Sequence, residues 1–211
     1  MKNLGLVVSL ALLLFGCSSS SSIEKQLLDV MTKMNTAEKE YRNVQSALTE
    51  LEKKEQQLFN KTMKITQEQQ KDLKTKVTAL EKLLDQRLGY LKKEDVAMAK
   101  AKEFASDFDA IIDNAAENHK HSIEELQLVI DERYELHSIV MSDYQKLASL
   151  QKELYELLIA EGTELKQLNI KLAEVNSQNE IVQASITVYN GMTEKVNVLK
   201  DTIFANLENK E

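Results

Sequence analysis

From Ile23 onward the chain is almost nothing but helix pattern: it contains no proline, and its apolar residues recur at alternating steps of four and three. Proline is the residue that most reliably breaks a helix, and a 4,3 recurrence is the seam of a helical bundle or coiled coil. The first seam reads Ile23, Leu27, Val30, Met34, Ala37, Tyr41, Val44, Leu48, Leu51 and Leu58, with Glu55 as its single miss. Ser21 with Glu24 makes a capping box at its start, so a first helix is expected over residues 22–61.

Three further seams follow. Thr66 with Gln69 caps a second helix, expected to begin near Gln67 and to run to about Asn118 through Leu73, Val77, Leu80, Leu84, Leu88, Leu91, Asp95, Met98, Ala101, Ala105, Phe108 and Ile112. Two consecutive steps of four, Leu80–Leu84–Leu88, beside Gly89 predict a bend or local unwinding there. Ser122 with Glu125 caps a third helix carrying Ile123, Leu126, Ile130, Tyr134, His137, Met141, Tyr144, Leu147 and Leu154, and Gly162 ends it in a left-handed conformation. The fourth starts at Leu165 and carries Val175, Asn179, Val182, Ile186, Tyr189 and Val196 before its apolar face drifts to Leu199, Ile203 and Leu207. Asn179 reads as a polar residue that fixes register. The expectation is an all-α fold, an elongated up-and-down bundle of four long helices forming one domain over residues 23–211. The alternative is a three-helix bundle with one very long helix.

The N-terminus is of a different kind. Lys2 precedes an apolar run from Leu4 to Phe15, about 18 Å as a helix against the roughly 30 Å of a bilayer core. It is a signal sequence by length rather than a membrane span. It ends at Leu14-Phe15-Gly16-Cys17, followed by Ser18–Ser22. Leu14, Phe15 and Gly16 form a lipoprotein cleavage motif, residues 1–16 are expected to be removed, and Cys17 is expected to carry a diacylglyceryl group and palmitate. Residues 17–22 then serve as a flexible tether. Cys17 is the sole cysteine, so no intrachain disulfide can form, and two acyl chains anchor where one is marginal. The place of action is the outer face of the cytoplasmic membrane.

A formal net charge of −7 argues against nucleic acid as a partner and against general electrostatic adhesion to anionic lipid or wall polymer. No Ser/His/Asp or Cys/His set and no glycine-rich phosphate loop occurs, so catalysis and a cofactor are not expected. His119 and His121, near Asp113, Glu117 and Glu124, point to different sides of a helix and read as a solvated turn rather than a metal site. His137 reads as a core histidine satisfied by a neighbouring carboxylate or hydroxyl. The most basic stretch supplies a candidate contact patch of Lys71, Lys74, Lys76, Tyr90, Lys92 and Lys93, and Tyr90 and Tyr155, off the seams, are the candidates for exposed aromatic contacts.

The cleavage motif Leu14-Phe15-Gly16-Cys17, the Glu/Lys/Gln-rich first helix and the stretch Ile130-Asp131-Glu132-Arg133-Tyr134 together resemble the YkyA-type family of cell-wall-binding lipoproteins of Gram-positive bacteria. The resemblance covers essentially the whole chain and rests on overall pattern. It implies a non-enzymatic, membrane-anchored helical bundle facing peptidoglycan or an associated wall polymer. The competing expectation is a scaffold that binds another helical protein.

Overall fold

The computed structural model describes residues 22–66 and 69–208. The expected signal peptide, the cleavage motif, Cys17, the tether up to Ser21 and the helix start at Gln67 lie outside the described residues. Among the described residues there are no strands, and the helices run up and down in four limbs rather than three. The first limb is α1 (Ser22–Ala37) and α2 (Lys39–Thr62); the second is α3 (Gln70–Glu103) and α4 (Asp107–Asn114), joined by a 3-10 turn over Phe104–Ser106. The third and fourth are the long helices α5 (Glu117–Ile159) and α6 (Leu165–Glu208).

Two of the interruptions coincide with side-chain bonds at the backbone. Between α1 and α2 the guanidinium of Arg42 donates to the Asn35 carbonyl at 2.7 Å, an oxygen that in an unbroken helix accepts from the Lys39 N–H. The second limb does not unwind at Gly89 as its spacing predicts; α3 is continuous there. It breaks instead at Phe104–Ser106, where Gln127 of α5 donates to the Ala105 carbonyl at 3.4 Å and to Asp109 at 2.8 Å. The next turn is also displaced from its expected place. It falls at Ala115, whose backbone is extended, and α5 begins at Glu117, five residues before Ser122. Gly162 has φ +76°, the left-handed conformation expected of a helix terminus. Gln69 accepts from the Thr66 N–H at 3.4 Å, and Gln167 accepts from the Glu164 N–H at 2.9 Å at the start of α6.

The buried residues revise the seams. On the second limb they run Leu73, Val77, Leu80, Leu84, Arg87, Leu91, Glu94, Met98, Ala101, Ala105, Phe108 and Ile112, an unbroken 4,3 alternation. The stutter vanishes because Arg87 and Glu94 hold the core positions, while Leu88 is half-buried and Asp95 exposed. Likewise α6 does not drift. Val175, Asn179, Val182, Ile186, Tyr189, Thr193, Val196, Lys200, Ile203 and Leu207 are all buried.

The chain divides into two compact units, one formed by Asn43–Lys93 and Ile139–Ile186, the other by the described residues up to Arg42, Glu94–Ser138 and those from Thr187 onward. Each holds a buried arginine. In the first, Arg87 pairs with Glu55 at 3.0 Å, donates to Gln151, and lies 5.2 Å from the centre of the Tyr144 ring. Tyr155 donates to Glu55 at 2.5 Å, and Tyr144 donates to Glu52. Burial pushes the Glu55 carboxyl up, against the pull of Arg87 and Tyr155. For Arg87 burial acts to lower the pKa, but Tyr144, Glu55 and Glu52 outweigh it and hold it above the ordinary value.

In the second unit Arg133 donates to both Glu38 carboxylate oxygens, at 2.6 and 3.1 Å. It also reaches the Tyr189 hydroxyl at 2.8 Å and the Thr193 hydroxyl at 2.9 Å. Tyr134 donates to Glu38 at 2.7 Å. Beside this network His137 meets Glu94 at 3.1 Å, and its ring lies edge-on to Tyr41 and Tyr189. The core histidine expected from the sequence is therefore satisfied by a carboxylate.

Two predictions test these cores. Arg133→Met leaves the buried Glu38 carboxylate with only Tyr134 and, at 4.0 Å, Arg42 beside it and should destabilise the fold by about 3–5 kcal/mol, read by chemical denaturation. Arg133→Met with Glu38→Leu should recover most of that loss, and a double variant no better than the single one would refute the pairing. The second concerns alkali. Burial raises the pKa of Tyr41, Tyr134, Tyr144 and Tyr155, and that of Tyr189 to about 12. The folded chain therefore keeps these protons to higher pH than the unfolded chain does. Their stabilisation is complete below pH 10 and is lost above it, at about 1.4 kcal/mol per pH unit for each tyrosine. Tyrosinate absorbance from these five should rise in one step with loss of helical circular dichroism; gradual ionisation with helices intact would contradict the burial.

Candidate functional site

The titratable residues with shifted pKa values are mostly closed inside the two cores, where the shift reports burial rather than a reactive centre. Openings lie elsewhere. In the first unit a groove of about 400 Å³ runs between α2 and α3. Its α2 wall consists of Ala47, Glu50, Leu51 and Lys54; its α3 wall consists of Gln86, Gly89, Tyr90 and Lys93. The spacing explains the lining, since residues three and four apart share one helix face.

Gly89 sits in the middle of α3, where glycine costs about 1 kcal/mol relative to alanine. A Cβ added there would meet nothing within 4 Å, so no packing constraint requires the glycine. Its effect is to leave the floor of the groove bare. Ala47 does the same from the opposite wall. The rim is polar: Lys54 pairs with Glu50 at 3.5 Å, and the Lys93 ammonium lies 5.2 Å from the centre of the Tyr90 ring. This combination of small apolar floor, aromatic edge and two ammonium groups can hold a small polar ring bearing an anionic group.

Of the residues proposed from sequence, the structure brings Tyr90 and Lys93 to this groove and adds Lys54. Lys92 is exposed next to it but does not line it. Lys71, Lys74 and Lys76 lie in the first turns of α3, with Lys71 about 33 Å from Lys93 along the helix, and Lys76 is paired with Asp72 at 3.9 Å. They form no common surface with Lys93. Tyr155, expected to be exposed, is buried at 2% exposure. It occupies a second row on α5 (Tyr134, Met141, Ala148, Tyr155, seven apart), because this helix buries a stripe two residues wide. The lining by Gln86, Gly89 and Glu50 was missed; the one available signal was a mid-helix glycine with no turn to make.

His119 and His121 lie in the first turns of α5 near the surface, and Asn118 contacts the His119 ring at 3.2 Å. Among the described residues no three His, Cys, Asp or Glu side chains are placed to hold a metal ion. None of the helices among the described residues is long and apolar enough to cross a membrane. Cys17, Leu14, Phe15 and Gly16 lie outside the described residues.

Comparison with known proteins adds the following. No curated protein sequence matches the chain significantly. The fold is similar to that in a 1.6 Å crystal structure of a conserved protein of unknown function from Staphylococcus aureus, with a TM-score of 0.76 and 22% identity over 85% of this chain and 91% of that one. At that identity the likeness speaks for the fold alone. A family model described as "Putative cell-wall binding lipoprotein" matches residues 22–206. That span takes in every described helix except the last two residues of α6, and the chain therefore belongs to the YkyA family.

Proposed function

We propose that the protein is a non-enzymatic lipoprotein, held by Cys17 on the outer face of the cytoplasmic membrane, that binds the cell wall. The observation that carries this reading is the family match across the whole helical region, to which the Leu14-Phe15-Gly16-Cys17 motif adds a means of anchoring. The non-enzymatic part rests on where the reactive side chains are. His137 with Glu94, Arg87 with Glu55 and Arg133 with Glu38 are spent on one another inside the cores. The groove offers contact groups without a nucleophile or general base poised against a partner.

A second reading, a scaffold for another helical protein, is favoured by α6. That helix exposes Ile170 and Ile181 in one unit and Val188 and Val198 in the other, apolar side chains that a helical partner would cover.

The deciding experiment is retention of the full chain, in detergent, on purified peptidoglycan with and without its anionic polymers. Saturable retention that survives removal of those polymers is expected, since the groove has an aromatic edge and only two lysines. No retention on either preparation would overturn the wall reading in favour of the helical partner. The anchor has its own test: Cys17→Ala should abolish incorporation of radiolabelled palmitate, and normal labelling of that variant would refute Cys17 as the anchor.

A further inference from the structure

We infer that the groove between α2 and α3 seats the carboxylate-bearing sugar of peptidoglycan, a muramyl unit freed of the stem peptide that otherwise holds its lactyl carboxyl as an amide, with its pyranose ring over Gly89 and its carboxylate at Lys54 and Lys93. This rests on the wall-binding reading and names the chemistry that would be recognised. Three observations select the ligand.

The first is size. A volume of about 400 Å³ is at the small end of ligand sites, which span about 300–1,000 Å³, and fits one or two sugar rings rather than a folded partner. The second is shape. Gly89 and Ala47 contribute only backbone and a methyl group to the lining, with open space over Gly89, which leaves room for a pyranose face to lie against them. A flexible polyol phosphate chain has no such face to place there. The third is charge. Lys54 and Lys93 come from opposite walls, and Glu50 offsets one of them through its pair with Lys54. The groove is thus net positive by one in a chain of net charge −7, which matches a single carboxylate on an otherwise neutral amino sugar. Gln86, one turn before Tyr90 on the same wall, supplies an amide that can both donate to and accept from sugar hydroxyl or acetamido groups.

The test uses the full chain in detergent and two disaccharides followed by NMR titration. One is N-acetylglucosaminyl-N-acetylmuramic acid; the other is N,N′-diacetylchitobiose, which has the same two rings without the lactyl carboxylate and is uncharged. The muramyl disaccharide should bind about tenfold more tightly, the worth of one charge-assisted contact, and Lys93→Gln should remove that preference. Gly89→Leu fills the floor while improving helix propensity. It should therefore keep or raise the melting temperature and still weaken the muramyl disaccharide by about tenfold or more. Equal affinity for the two sugars would overturn the charge assignment. Unchanged affinity in Gly89→Leu would overturn the groove as the site. Should neither sugar bind while the chain is still retained on peptidoglycan, this inference fails and the wall-binding reading stands.

Discussion

Two charges taken out of water must meet each other, and in each unit of this protein one arginine–glutamate pair imposes that condition on the helices around it. Arg133 on α5 has its guanidinium closed by Glu38, Tyr189 and Thr193; Arg87 on α3 has its own closed by Glu55 and Gln151. Desolvation of each ion is large, so such a pair contributes little net stability over an apolar equivalent. Its consequence is for register. Moving α5 along its neighbours by one heptad, about 10 Å, would leave every leucine-like contact replaceable by another and yet strand Arg133 and Glu38 as separate buried charges. A core of repeating 4,3 positions is degenerate in that respect, and polar residues at chosen core positions remove the degeneracy.

The tyrosines extend the same logic. Tyr134 and Tyr155 place a ring in the core and a hydroxyl on the buried carboxylates Glu38 and Glu55. Each carboxylate therefore has two kinds of donor, and the ring buries apolar surface at the same time. Arg133 also lies 5.2 Å from the centre of the Tyr189 ring, so its flat faces are covered as well as its edges. Few groups in these networks are left to act on a bound molecule. This is why the groove, built from residues that the cores do not need, is the better place to look for recognition.

The sequence disclosed the fold and concealed the features that make it specific, for one physical reason. Leu, Ile and Val announce burial by type, so Leu73, Val77, Leu80 and Leu84 were placed correctly. Arg87, Glu94 and Lys200 are buried only because of what they meet, and a periodicity read from apolar residues steps around them. That is how Arg87 became an apparent stutter at Leu88, and how Lys200 became an apparent drift to Leu199. The reverse held for His119-Lys120-His121, a polar run that reads as a turn and is the surface of the first turns of α5. The actual turn at Ala115 carries neither glycine nor proline, and Gln127, which bonds to the backbone at the α3–α4 break, acts from another helix; neither is visible locally. Of the groove, Tyr90 and Lys93 were legible as an aromatic off the seam and a basic residue. Their meeting with Lys54 depends on which helix α3 packs against, which no local pattern encodes.

A groove of this size with two lysines cannot bind one sugar tightly, and under the proposed anchor it has no need to. A chain tethered by two acyl groups is confined to a surface facing a polymer in which the same disaccharide recurs. Each dissociation from one unit leaves the groove at high effective concentration of the next, and retention then depends on the density of units and on the reach of the tether more than on intrinsic affinity. Under that anchor, the four residues between Cys17 and the start of α1 at Ser22 would set a short reach, at most about 14 Å at full extension, and would hold the helical region near the headgroups. On that proposal, weak contact at the groove and lateral confinement at Cys17 would be two halves of one mechanism. Free in solution, the same groove would be expected to exchange rapidly among sugars, holding each one weakly.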